Sequence, residues 1–262
     1  MQAAILPISA GWNWIRDGFQ LLRRQPGPLL FWSMFTGLLI TLSYLIPLVG
    51  QVVLITAMPL LTFVILHACR QVDAGRPLNW SLWTAPLRNL EVRRRLLGLG
   101  LAYLACCMTA GLIATVPFLG ELSAAVGDGG ELDERALVMA LRGPFLVFGL
   151  LYLLISAMFW HAPALIGWHK LPTTQALFFS TVACWRNKLP FLAYGASWIA
   201  LFMGLQLFGS LLASLGLPPT FVQLLMLPLN LALAAALYCS FYPAYVSVFG
   251  GYALAESPAE DR

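Results

Sequence analysis

Two histidines hold matching places in the chain. His67 precedes Pro77 by ten residues and His161 precedes Pro172 by eleven, and each is followed by an alanine. Imidazoles at the ends of apolar segments are the raw material of a haem or metal site. The nearest further ligands, Cys69 and His169, complete no known ligand spacing. The expectation is therefore two interfacial polar residues bonded to backbone or water, with no cofactor. A second pair is made of amides. Gln206 lies twelve residues before Pro218 and Asn230 twelve after it. At 1.5 Å per residue a helical hairpin puts both about 18 Å deep. Amides at that depth need partners, so the spacing predicts an interhelical hydrogen bond worth ~0.6 kcal/mol, with a ligand site as the alternative. The acidic run Asp128–Glu134 carries carboxylates but lacks the spacing of an EF-hand calcium loop. It reads as a solvated loop, followed by a short surface helix over 131–141 with a Glu131–Arg135 pair.

No catalytic signature accompanies these groups: H-E-x-x-H, G-x-S-x-G and the P-loop are all missing. The expectation is a protein that is not an enzyme. Ion-coupled carriers commonly keep ionisable groups at mid-membrane. The apolar stretches here have essentially none, and Glu121 falls at an outer end. That argues against proton or sodium coupling and leaves passive conduction of a neutral solute open.

The elements that would position these residues follow from long uncharged stretches. Leu189–Ala255, Gln25–Leu66 and Leu96–Gly120 contain no Asp, Glu, Lys, Arg or His. Of the 262 residues 60% are hydrophobic and only 10% charged, with mean hydropathy +0.81, against about 25% charged in soluble chains. A span needs ~20 apolar residues, so the stretches suit helical hairpins. Continuous apolar runs exclude the alternation of a β-barrel. The fold class is an all-α integral membrane protein, one polytopic domain over 1–262. Its six transmembrane helices are expected near 27–48, 50–69, 96–119, 143–166, 190–215 and 219–249. Pro47–Gly50 and Gly216–Pro219 supply turn chemistry for the first and last hairpins. Residues 1–10 lack the charged start of a cleavable signal peptide. The net charge of +4 does not point to nucleic acid. The five cysteines form no C-x-x-C pair and suggest no disulfide framework.

Charge sets the orientation. Thirteen Lys and Arg residues fall in the N-terminus, 70–95, 170–188 and the C-terminus; only Arg135 and Arg142 fall on the other side. The positive-inside rule then places both termini in the cytoplasm and the acidic loop 120–142 outside. Each basic segment is also amphipathic and begins at a proline. Ile8, Trp12, Ile15, Phe19 and Leu22 form one helical stripe; Trp80, Trp83, Leu87 and Leu90 another; Phe178, Val182, Trp185 and Leu189 a third. Pro86 is expected to split the second into two short helices. The chain thus reads as three parallel units, about 7–69, 77–166 and 172–250, each an interfacial helix plus two spans. The aromatic stripes suit a headgroup layer or the end of the bundle, and the arginines suit anionic lipid.

Small residues predict packing, since helices in lipid approach closely where side chains are short. Gly98, Ala102, Cys106, Ala110 and Ala114 recur every four residues, as do Ala196, Ala200 and Gly204, and Ala232, Ala236, Ser240 and Ala244. These put the third, fifth and sixth spans in the interior.

Trp12-Asn-Trp14, Asp17-Gly-Phe19, Arg23-Arg-Gln-Pro26, Ile46-Pro-Leu-Val-Gly50, Cys69-Arg70, Asp73-Ala-Gly75, Trp160-His-Ala-Pro-Ala-Leu165, Asn187-Lys-Leu-Pro-Phe191 and Tyr194-Gly195 carry a resemblance. The chain resembles an uncharacterised family of proteobacterial inner-membrane proteins, which implies six spans in a bacterial cytoplasmic (inner) membrane and brings no functional residues. More distantly, its units look like the membrane domain attached to some glycerophosphodiester phosphodiesterases, without their catalytic domain. The expected function is a non-enzymatic scaffold, assembly factor or accessory subunit. Its expected partners are membrane lipids, with anionic lipid at the basic face, and a membrane protein or a second copy. The alternative is a transporter or channel for a small neutral or lipid-like solute, suggested by the repeat and by Pro59, Pro163 and Pro228.

Overall fold

The computed structural model describes residues 3–125 and 134–253, and these contain helices and no strand. Six helical stretches are long and apolar enough to cross a membrane: Pro26–Ser43, Val49–Asp73, Leu90–Ala125, Arg135–His169, Lys188–Ser214 and Pro219–Gly250. The chain is an all-α membrane protein. In order the helices are α1 (Ala10–Arg24), α2 (Pro26–Ser43), α3 (Val49–Asp73), α4 (Trp80–Arg88), α5 (Leu90–Thr115), α6 (Leu119–Ala125), α7 (Glu134–Phe159), α8 (Ala162–His169), α9 (Thr173–Arg186), α10 (Lys188–Ser214) and α11 (Pro219–Ala253).

Turn chemistry closes the hairpins. Gly216 adopts φ +82° between α10 and α11, a left-handed conformation that glycine enters freely. Before α3 the same region is occupied by Leu48 at φ +65°, where the chain folds back so tightly that a Cβ on Gly50 would meet the Ser43 backbone. Three boundaries differ from expectation. Pro86 sits within the single helix α4; the break falls at Asn89, whose side chain accepts from Val92 N at 3.0 Å and caps α5. The fourth span is two helices, broken at Trp160–His161, with Pro163 in the first turn of α8 where its missing N–H costs nothing. In the segment 120–142, the helix expected over 131–141 is described from Glu134, but it continues without a break into the fourth span as α7, and α6 extends helix to Ala125 on the other side. The carboxylates Asp128, Glu131 and Asp133, and with them the Glu131–Arg135 pair, lie outside the described residues.

The short helices pack on neighbours from the preceding pair of spans. α4 lies on α3, and α9 lies on α7 and α8. α1 lies on α10 and α11, so the beginning and end of the chain meet. Small residues make that last contact possible. A Cβ on Gly18 would stand 2.8 Å from Ser240, and one on Gly11 would stand 2.7 Å from Tyr194 N. Trp14 is buried between them, donating to Ser247 Oγ at 2.7 Å and lying 5.0 Å from the Phe191 ring.

Many large members of the predicted stripes face outward, although Ile15 and Leu22 of α1 are buried. Trp12, Trp80, Phe178 and Trp185 are 54–75% exposed, while Gly11, Gly18, Ala176, Ser180 and Ala183 are buried. Between helices in lipid, packing selects short side chains and the surrounding medium accommodates the large ones.

The same rule shifts the interior spans. In α5 the expected Ala110 and Ala114 are buried and Ala102 and Cys106 pack on the core, as do Tyr103 and Cys107, but at the basic end the buried glycine is Gly100, while Gly98 is exposed with open space around it. A Cβ on Gly100 would stand 2.6 Å from the Thr56 carbonyl carbon of α3. The sixth span is central as expected, with Ala236, Ser240 and Ala244 fully buried. The fifth is not: α10 buries only Pro190, Tyr194 and Trp198, and its Ala196, Ala200 and Gly204 face outward.

Candidate functional site

The basic segments assemble at one end of the bundle. Arg24 pairs with Asp73 at 3.0 Å, Arg95 donates to the Lys170 carbonyl at 2.6 Å, and Arg70 lies 5.5 Å over the Trp168 ring. The N-terminal segment is tied into the same end. Ala4 N donates to Val248 O at 2.9 Å, Leu6 N donates to Asn187 Oδ1 at 2.9 Å, and Asn187 Nδ2 donates to Ala4 O at 2.8 Å. Asn187 is fully buried. Its structural role had no signal in the sequence beyond its place between two basic residues.

His161 is buried at the break between α7 and α8. Its backbone N–H donates to Ser180 Oγ at 3.0 Å, and that hydroxyl donates to Ala157 O at 2.8 Å. Its ring sits edge-on to Phe191, Tyr245 and Phe249 at 5.3–5.9 Å, and Nε2 has no partner. His67 is half-buried on α3, with Nε2 3.4 Å from Gln71 Nε2. His169, on the far end of α8, meets the Tyr245 hydroxyl at 2.8 Å. The structure thus gathers His161 and His169 around Tyr245. Among the described residues no three His, Cys, Asp or Glu side chains converge at metal-binding distance.

The expected Gln206–Asn230 bond is absent. Asn230 Nδ2 donates to its own Met226 carbonyl at 2.8 Å, and the Gln206 side chain is exposed on α10. Matched depth was right in principle, but depth leaves rotation about the helix axis free, and α10 turns Gln206 outward.

One concavity in the described residues that combines apolar walls with polar groups is a half-open pocket of about 260 Å³. Met58, Pro59 and Thr62 of α3 form one side, and Tyr103 of α5 another. Tyr152, Ser156 and Phe159 of α7, Trp160 and Pro163 at the helix break, and Phe241 of α11 complete it. Two features of the backbone make the space. Pro59 cannot donate within α3, and the α7–α8 break swings Trp160 away from the helix line. The Tyr103 and Tyr152 hydroxyls meet at 3.2 Å on its wall. Pro59 and Pro163 were marked in the sequence as kinks; the tyrosines were not, because spaced aromatics in a span look like any lipid-facing residues.

An all-α bundle with six helical stretches long and apolar enough to span and one basic end is the architecture of a multi-pass membrane protein. A protein of Burkholderia thailandensis described as a probable inner membrane protein is 34% identical over 269 aligned residues, covering 95% of this chain and 94% of the relative. The chain belongs to the same family as that inner-membrane protein. No protein-family model matches the chain. No solved structure matches it either, so the likeness to the membrane domain of glycerophosphodiester phosphodiesterases gains no support.

Proposed function

We propose that this protein is a non-enzymatic scaffold, assembly factor or accessory subunit of the bacterial inner membrane, and that it docks a partner through α10. One observation carries the reading. α10 turns Ala196, Ala200 and Gly204 outward, with Gln206 uncovered on the same helix. Small residues every four positions permit a second helix to approach closely, and an uncovered amide gains a hydrogen bond by it. In lipid a solitary helix has no use for either. A photoreactive side chain at Ala200 in cells should give a stoichiometric protein adduct, from a partner or a second copy. The same probe at Leu150 of α7, 67% exposed, should give none. Only lipid adducts from Ala200 would overturn the reading.

The proposed orientation puts the basic end and both termini in the cytoplasm. There Trp12, Trp80 and Trp185 lie at headgroup level, and the arginines meet anionic lipid. The short-helix-plus-two-spans order, with each short helix lying on the preceding pair, supports three repeated units closed into a ring. A second reading, a carrier for a small neutral or lipid-like solute, is favoured by the pocket beside Pro59 and Pro163.

A further inference from the structure

In a closed ring of three units, the second span of each would pack on the first span of the next. α3 does pack along α5, and α11 along α2. The third contact, α7 along α10, is marginal at most. The seam is shut only near the basic end, where Trp160 lies edge-on to Phe191 and Tyr194 of α10 at 5.5 and 5.9 Å. Beyond Trp160 the two helices part. The pocket lies behind this seam, between α7 and α11, and α10 contributes nothing to its lining.

The seam opens into hydrocarbon. Tyr103 is eight residues beyond Arg95, the last charge on α5, which places it about 12 Å below the basic face. Whatever enters is therefore dissolved in the membrane.

The chemistry of the walls narrows it further. A cavity of ~150 Å³ is enough to hold benzene, so about 260 Å³ has room for one substituted ring. Trp160, Phe159 and Phe241 offer edges and faces for such a ring. The Tyr103–Tyr152 pair has two hydroxyl hydrogens, and their mutual bond uses one. Tyr103 is the donor in that bond and has the Cys107 thiol beside it as a further neighbour, so the hydrogen left to donate is that of Tyr152, and Ser156 adds a second hydroxyl. A pure alkyl chain would leave these donors unmet.

We propose that the seam between α7 and α10 admits a membrane-dissolved ring bearing a carbonyl acceptor, of the benzoquinone type with an apolar tail, which binds by accepting from the Tyr103–Tyr152 pair. Binding there is independent of whether α10 docks a partner on its outward face.

The test uses the full chain purified in detergent and a short-chain benzoquinone with a decyl tail, followed by quenching of tryptophan fluorescence. The wild type should quench saturably, and Trp160→Phe should lose most of the saturable component. Tyr152→Phe removes a hydroxyl with little change of shape and should weaken binding about two- to ten-fold, the effect of one hydrogen bond. Ser156→Phe should fill the pocket and abolish saturation. Melting of each variant is measured alongside, so that only folded protein is compared. A bromodecane quencher, which lacks the carbonyl, should not saturate. Absence of saturation with the quinone in the wild type overturns the proposal. So does equal affinity in Tyr152→Phe, and so does saturable binding of bromodecane as tight as that of the quinone, which would make the pocket an acyl-chain groove.

Discussion

Gly100 and Gly98 lie two residues apart on α5 and have opposite surroundings, which makes their alanine variants a direct measure of how closely α3 and α5 approach. A Cβ on Gly100 would stand 2.6 Å from the Thr56 carbonyl carbon and 2.8 Å from its Cα, where ordinary Cβ contacts are 3.4–4 Å. Neither neighbour is the tip of a flexible side chain; both are backbone. The helices must therefore separate by roughly 1 Å at this point, which loosens close packing on both sides. Overpacking of this kind costs about 1–3 kcal/mol. A Cβ on Gly98 meets nothing within 4 Å. Both variants gain the same helix propensity, up to ~1 kcal/mol, so that gain cancels in the comparison. For a chain of this size the difference corresponds to a melting temperature about 3–10 °C lower in Gly100→Ala than in Gly98→Ala. The assay is thermal unfolding in detergent, followed by intrinsic fluorescence. Equal melting temperatures would refute the packing of Gly100 on Thr56, and a larger fall for Gly98→Ala would restore the register first expected from the sequence.

Four further outcomes follow from particular contacts. Asn187→Ala leaves Leu6 N and Ala4 O without their partner; it should destabilise by about 1–3 kcal/mol and release the N-terminal segment, seen as faster proteolysis before Trp12. His161→Phe removes a buried nitrogen with no partner from a cage of aromatic rings; stability should hold or rise, and a marked loss would mean that the ring binds something. The Cys184 thiol on α9 is pushed up to about 12 by burial, against a smaller lowering by Ser180. It stays neutral below that pH, so a variant with Cys184 as its single cysteine should react slowly with maleimide at pH 8. Fast labelling there without denaturant would contradict the packing of α9. Finally, a reporter fused after Arg262 should be active only in the cytoplasm, and activity outside would invert the orientation.

Much of this architecture was legible in the sequence because the bilayer imposes it. A span must be about 20 residues long and largely uncharged, so the uncharged stretches of the chain marked all six spans, with bounds that differ by no more than eight residues from those of the structure. That the basic segments share one side was legible from their charge; that they touch, through Arg24–Asp73 and Arg95–Lys170, was not. What failed was rotation. Which members of a stripe turn inward was not legible: of Ile8–Leu22, Ile15 and Leu22 are buried while Ile8 and Trp12 are exposed, and Phe178, Trp185 and Leu189 are exposed, as suits the headgroup layer expected for them. In lipid large apolar groups gain little by hiding, and Gly11, Gly18, Ala176 and Ala183 face the bundle as well. The Gln206–Asn230 pair failed likewise, as did Gly98 and the inward face expected of α10.

The sequence by itself determined the class, the six spans and the gathering of positive charge, because hydropathy and charge act residue by residue on transfer into the membrane. Only the tertiary structure decided which helix faces meet, that α7 and α10 meet marginally at most, and that Tyr103, Tyr152 and Trp160 enclose a pocket. Those outcomes depend on backbone approach between distant segments. Lipid and protein are almost equally apolar, so no transfer preference along the chain records them.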